Sequence, residues 1–253
     1  MNLNCKSCNT ELQGEYCHNC GQKLITKRIT VKELIRQFFS SFFNTENGLI
    51  FTLKSLITKP HKVVHEYISG KTIKYTNPAR FAFFTFAIVG FITVKFGLLD
   101  QDIDNFNELT EVKSSESAMN VQAYYIAKIK EFLSIFSFVS IFFFAAIARM
   151  LWRSFNYAEH MVLQLYAASL GSIASLITIS IVSGKPELII LQYLVTLTIY
   201  TIIYQMVFRN NPLVTTIKSI IAFVVGSIFM TLTTGIIFGI VTVIKISLGS
   251  SFT

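Results

Sequence analysis

The chain has 253 residues, 52% of them hydrophobic, with 24 Phe and a mean hydropathy of +0.55. Ordinary soluble domains carry about 45 to 50% apolar residues even with glycine counted, so this composition argues against a soluble globular protein. The net charge of +8 is unevenly spread: residues 1–80 hold 12 Lys and Arg against 5 Asp and Glu, whereas beyond residue 131 charges are sparse and apolar runs of membrane-crossing length recur.

The chain begins with a polar, Cys-rich stretch where a cleavable signal would have an apolar core of about 7 to 15 residues, so the N-terminus is expected to stay cytoplasmic. Within it Cys5, Cys8, Cys17 and Cys20 form two C-x2-C pairs separated by eight residues. Two such knuckles each turn a pair of thiolates toward one tetrahedral ion, which predicts a structural Zn2+ site in a ribbon over residues 1–28. Gly21 supplies the permissive backbone after Cys20, and Gly14 with Asn9 is expected to turn the hairpin between the pairs. Two disulfides would need an oxidising compartment, and a redox C-x2-C would need a β-α-β setting that is missing here. Four thiolates leave no open position for water or substrate, and His18 is read as a solvated bystander. Binding contributes on the order of 10 to 16 kcal/mol in small zinc peptides, so metal is expected to fold this coreless head.

Residues 29–80 read as juxtamembrane amphipathic helices. The first, 31–43, has Val31, Leu34, Ile35, Phe38, Phe39, Phe42 and Phe43 on one stripe, with Thr30 and Glu33 as a capping box and Ile29 with Leu34 as a staple. It can lie in an anionic headgroup plane or pack on the protein's own helices. A second helix runs through Leu49, Ile50, Leu53, Leu56 and Ile57 to Pro60, which starts a third that ends at Gly70. His61 and His65 share a face of that helix but lack a third ligand, so they read as a surface or headgroup-facing pair.

The strings "CGQK", "FFNTENGLIFTLKSLITKP" and "YISGKTIKYTNPARF", in that order and leading into the first apolar run, resemble an uncharacterised bacterial membrane family, domain-of-unknown-function family 3667. The resemblance covers roughly residues 5–90, with His61 standing where the family pattern has Gly. It implies a zinc-ribbon head on a multi-span protein of the bacterial cytoplasmic (inner) membrane, and it brings no catalytic residues.

Five spans are predicted at 81–99, 132–152, 160–183, 187–208 and 217–247, giving an all-α membrane protein with a five-span bundle over 81–253. The fifth is long enough to tilt, protrude or bend near Gly235 or Gly239. Lys71, Lys74 and Arg80 flank the first span, while the stretch 100–131, read as an extracytoplasmic loop, holds seven acids against Lys113, Lys128 and Lys130. The positive-inside rule then places the head, Arg149, Arg153, Arg209 and Lys218 in the cytoplasm and the C-terminus outside.

Charged groups are nearly absent from the spans. Their polar groups are Gln164, Tyr166, Gln192, Tyr193, Tyr200, Tyr204 and Gln205, and Glu159 with His160 reads as a solvated helix end. Small residues, among them Ala168, Ser172 and the Gly235/Gly239 pair, read as packing surfaces within the bundle. No phosphate loop, catalytic triad or open metal site is present in the sequence, so the chain is read as non-enzymatic. The leading expectation is an adaptor whose cytoplasmic zinc ribbon recruits a protein partner at the bilayer. One alternative is a transporter or lipid-handling protein with a polar path through Gln164, Gln192, Tyr200 and Gln205. A ribosome or RNA contact through Lys6, Lys23, Lys27 and Arg28 is the less favoured one, because Tyr16 is the one aromatic in the ribbon. Substrate and oligomeric state are left open.

Overall fold

A computed structural model of the chain describes residues 4–12, 14–25, 28–41, 48–98, 116–182, 185 and 188–247. Among them there are eight helices and no strand; the N-terminal head contributes two isolated antiparallel bridges, Asn4 with Glu11 and Tyr16 with Lys23.

Three short helices follow the head: α1 (Val31–Ser41), α2 (Gly48–Thr58) and α3 (Pro60–Ile68). In α1 the predicted start holds. Thr30 Oγ1 accepts from the Glu33 N–H at 3.3 Å, and the staple residues Ile29 and Leu34 are both buried. Glu33 does not reach back to complete the capping box. Its carboxylate takes Arg36 and Gln37 one turn on instead. Part of the apolar face of α1 packs against the bundle, with Leu34 buried and Phe38 edge-on to Phe83 at 6.1 Å, while Ile35 on the same face stays exposed. Phe42 and Phe43 lie outside the described residues. Pro60 opens α3 where its missing N–H is harmless, and Gly70 at φ +100° ends it as expected, the Lys71 N–H returning to the Glu66 carbonyl at 2.9 Å.

Five longer helices form the body: α4 (Pro78–Lys95), α5 (Glu116–Leu151), α6 (Tyr157–Val182), α7 (Ile189–Phe208) and α8 (Pro212–Ser247). Asn77 caps α4 by accepting from the N–H groups of Ala79 and Arg80, with Pro78 in the first turn. Helix α7 stops at Arg209, a non-glycine residue in the left-handed region at φ +51°.

Among the described residues four stretches are long and apolar enough to cross a bilayer, Pro78–Lys95, Tyr157–Val182, Ile190–Phe208 and Pro212–Thr233, which marks a multi-pass membrane protein. The expected second span falls on the C-terminal part of α5, whose apolar residues include the stretch Ile135–Leu151. The same helix starts at Glu116, so the later part of the stretch 100–131, read as loop, is helical; residues 100–115 lie outside the described ones. The expected fifth span is one uninterrupted helix of 36 residues, about 54 Å at 1.5 Å per residue. No helix break falls at Gly235 or Gly239.

Helix α6 is the hub, touching α1 through α5 and α7. The main buried core sits at one end of the bundle, where α3 (Val63, Val64, Tyr67) meets Ala148 of α5 and Trp152 just past its end, Val162 and Tyr166 of α6, and Tyr204 and Val207 of α7. A methyl group built at Gly171 of α6 would meet Thr196 Cγ2 of α7 at 3.6 Å, an ordinary contact distance. Among the described residues nothing lies within 4 Å of a side chain built at Gly235 or Gly239.

Candidate functional site

The two cysteine knuckles are structural copies. In the first, the Asn9 N–H donates to the Cys5 carbonyl at 2.9 Å and the Cys5 N–H to the Thr10 carbonyl at 2.8 Å; in the second, Gly21 and Cys17 do the same with Cys17 and Gln22. Asn9 (φ +62°) and Gly21 (φ +70°) occupy the same left-handed position. Asn9 therefore closes a knuckle, and does not turn the hairpin between the pairs as its sequence position implied.

This geometry brings Cys5, Cys8, Cys17 and Cys20 together, their sulfurs all within 4.8 Å of one another, with Cys5 Sγ 3.6 Å from Cys20 Sγ and Cys8 Sγ 3.5 Å from Cys17 Sγ. A tetrahedral ion held at about 2.3 Å by four thiolates sets its sulfurs about 3.8 Å apart, so the cluster is compatible with a metal such as zinc. The electrostatics fit the same donor set. The N–H of Cys8 lowers the Cys5 thiol, and the Thr10 hydroxyl followed by its N–H brings Cys8 down to about 5. At Cys20 the Gln22 N–H also favours the thiolate, but burial and the neighbouring sulfurs outweigh it and push the thiol up to about 12. Four thiolates this close hold their full charge only around a cation.

The head is docked on the body, not tethered loosely to it. Gln22, 3% exposed, donates from Nε2 to Thr72 Oγ1 at 3.2 Å and accepts from the Ile73 N–H at 3.0 Å. Lys6 Nζ donates to the Ser69 carbonyl at the end of α3 at 2.9 Å and to the Ile25 carbonyl at 2.6 Å. Arg28 reaches α6, where its Nε donates to Glu159 Oε1 at 2.8 Å and its guanidinium pairs with Glu159 Oε2. Of the basic patch read as a possible RNA contact, Lys6 and Arg28 are thus turned to the protein's own groups.

Glu159 and His160 are not the solvated helix end expected from sequence. Glu159 is buried, accepts from the Asn156 N–H at 2.8 Å and closes a capping box with Asn156 Oδ1. His160 is fully buried with Nε2 2.7 Å from the Trp152 carbonyl. His65 stays exposed, in keeping with a surface position, with Nε2 2.9 Å from the Val207 carbonyl and its ring edge-on to Phe155.

Beneath the head runs a polar network that periodicity did not announce. The Asn77 amide donates to the Tyr67 hydroxyl at 3.2 Å, which donates to Gln37 Oε1 at 2.9 Å. Thr52 Oγ1 accepts from the Thr76 N–H at 2.9 Å, and Tyr166 donates to the Thr76 carbonyl at 2.7 Å. Gly48 meets this network so closely that an added Cβ would stand 2.8 Å from Thr76 Oγ1. Above it opens a polar pocket of about 580 Å³, walled by Tyr16 and Lys23 of the head, Glu33 and Arg36 of α1, Tyr75 of the approach to α4 and Arg80 in its first turn. Burial holds the Tyr75 phenol above its ordinary range, and its hydroxyl donates to Glu66 at 2.6 Å.

In the spans, Gln164 donates to Tyr200 and, at 2.7 Å, to Tyr204, while Gln192 lines the same cavity from α7. Gln205, the fourth member of the expected path, instead donates to the Asn210 carbonyl at 2.6 Å outside it.

Residues 46–90 match the family described as "Protein of unknown function (DUF3667)". The match takes in α2, α3, the Thr72–Thr76 approach and most of α4, and so supports the resemblance seen in the sequence; the four cysteines lie outside it. No curated protein and no solved structure matches the chain.

Proposed function

We propose that the chain is a non-enzymatic membrane adaptor of the inner membrane, in which a structural zinc ion folds a cytoplasmic ribbon that presents a partner-binding surface at the bilayer. The observation that carries this reading is the composite pocket: its walls come from the ribbon, from α1 and from the family-matched segment, so it exists only while the ribbon is folded and docked. Tyr16, 58% exposed with Lys23 over its ring at 5.8 Å, stands at the pocket's edge as an aromatic and cationic anchor for a partner.

A five-span bundle with α5 as its second crossing accounts for the contacts at the head end. Arg28 meets the start of α6 and His65 meets the end of α7, so the turns after α5 and α7, with Arg149, Arg153 and Arg209, share that end with the ribbon. The positive-inside rule then gives a cytoplasmic head and an extracytoplasmic C-terminus, which agrees with thiols kept reduced for metal binding.

The test is affinity purification in mild detergent of the full chain against a chain lacking residues 1–28. Loss of a near-stoichiometric partner supports the adaptor reading, and an identical set of co-purifying proteins contradicts it.

A further inference from the structure

The spans enclose a cavity of about 330 Å³ between α4, α5, α6 and α7, within the range of small-molecule sites, and a second of about 230 Å³ adjoins it. The two share Ser137, Ser172, Ser175 and Gln192, so they act as one bent chamber. Among the described residues, no acid, lysine, arginine or histidine lines either part.

Gln192 is the telling group. It is 9% exposed, it lines both cavities, and its side-chain oxygen is buried with no hydrogen-bond partner among the described residues. A buried amide oxygen in apolar surroundings is unfavourable unless something donates to it. Four of the hydroxyls around it already donate elsewhere. Ser140 donates to the Ser137 carbonyl at 2.7 Å, Ser172 to the Ser169 carbonyl at 2.9 Å, Thr196 to the Gln192 carbonyl at 3.0 Å and Tyr200 to the Tyr204 hydroxyl at 3.2 Å. With their hydrogens committed, these four oxygens offer lone pairs to the chamber.

We propose that this chamber binds an uncharged amphiphile with a hydroxyl head, a lipid of the monoacylglycerol type, which donates to Gln192. An anionic phosphate head would be desolvated with no cation in the lining to balance it. An ammonium head would be desolvated with no carboxylate in reach. The apolar part of the lipid lies against Phe86, Ile141 and Phe144, and Tyr193, 49% exposed, stands at the rim where it enters. This site goes beyond the adaptor reading and does not depend on it.

The test uses the full-length protein in detergent with a monoacylglycerol carrying a diazirine in its acyl chain, beside a lysophosphatidic acid with the same chain. Cross-links of the neutral probe are expected on α6 around Ser172 and on α7 around Gln192, competed by unlabelled monoolein. Gln192→Leu should reduce that labelling roughly tenfold, the scale of one buried hydrogen bond to a ligand. Because the substitution removes an unpaired polar group, it should leave the thermal midpoint of the lipid-free protein unchanged or raised. Ser175→Phe, which fills the chamber from α6, should abolish labelling and serves if Gln192→Leu does not fold. Equal labelling by the charged probe, cross-links confined to the outer faces of the bundle, or full labelling of both variants would overturn the proposal.

Discussion

The backbone N–H of Ile73 donates to the side-chain oxygen of Gln22 at 3.0 Å, and through that bond a residue beside the last cysteine is joined to the segment that leads into the first span. The nitrogen of the same amide donates to Thr72, so a single side chain serves as the clasp between ribbon and body. Gln22→Ala is expected to release the ribbon while leaving the four thiolates intact. Hydrogen exchange should rise at Ile73 and through residues 15–25, with metal content unchanged. Unchanged protection at Ile73 would show that the clasp is dispensable.

Arg28 and Glu159 form the second attachment, with Glu159's side chain 3% exposed and Arg28's 62%. Removing the arginine leaves a buried carboxylate without its cation, which is worse than removing both charges. Arg28→Ala is therefore expected to lower the thermal midpoint, and Arg28→Ala combined with Glu159→Gln to recover part of the loss. A double variant as unstable as the sum of the singles would contradict a coupled pair.

Asn77 does two jobs, capping α4 and donating to Tyr67. Asn77→Ala is expected to destabilise the protein by about 1 to 3 kcal/mol, the combined scale of a lost cap and a lost buried hydrogen bond. Asn77→Asp keeps the acceptor but not the donor and should fall between. Thermal unfolding in detergent distinguishes the three.

These attachments mark the division between what pattern made legible and what it did not. The cysteine spacing, the stripe of α1, the Pro60 start and Gly70 stop of α3, and four apolar spans all follow from periodicity or backbone chemistry, and the structure has them. The burial of Glu159 was illegible because a charged residue at a helix start ordinarily faces water; only its distant partner, Arg28, puts it inside. Asn77 was readable as a cap before Pro78, but its bond to Tyr67 is a tertiary matter. For Gln22 there was one signal, its place in the string "CGQK" that carried the family resemblance. The long start of α5 was hidden because its first residues are polar, and hydropathy reports lipid contact and not helicity.

Glu66 supplies a pH dependence. Burial opposes its ionisation, but the Tyr75 hydroxyl at 2.6 Å and the ammonium groups of Lys74 and Lys71 outweigh it and hold the carboxyl below its ordinary range. A value depressed by folding contributes stability that is full above the ordinary glutamate pKa of about 4.3 and is lost as pH falls through the depressed value. The thermal midpoint of the native protein should fall more steeply than that of Glu66→Gln between neutral pH and about pH 3. Parallel curves would show that these partners do not act on Glu66 in the folded state.

The central claim, that a metal ion folds the head whose walls complete the polar pocket, is tested most directly by metal analysis of the purified full-length protein. The account predicts one zinc per chain, slow thiol alkylation until a chelator is added, and, in Cys17→Ser, loss of the metal with the spans still inserted. A metal-free protein whose Cys5, Cys8, Cys17 and Cys20 are joined in two disulfides, with the head still docked, would contradict it.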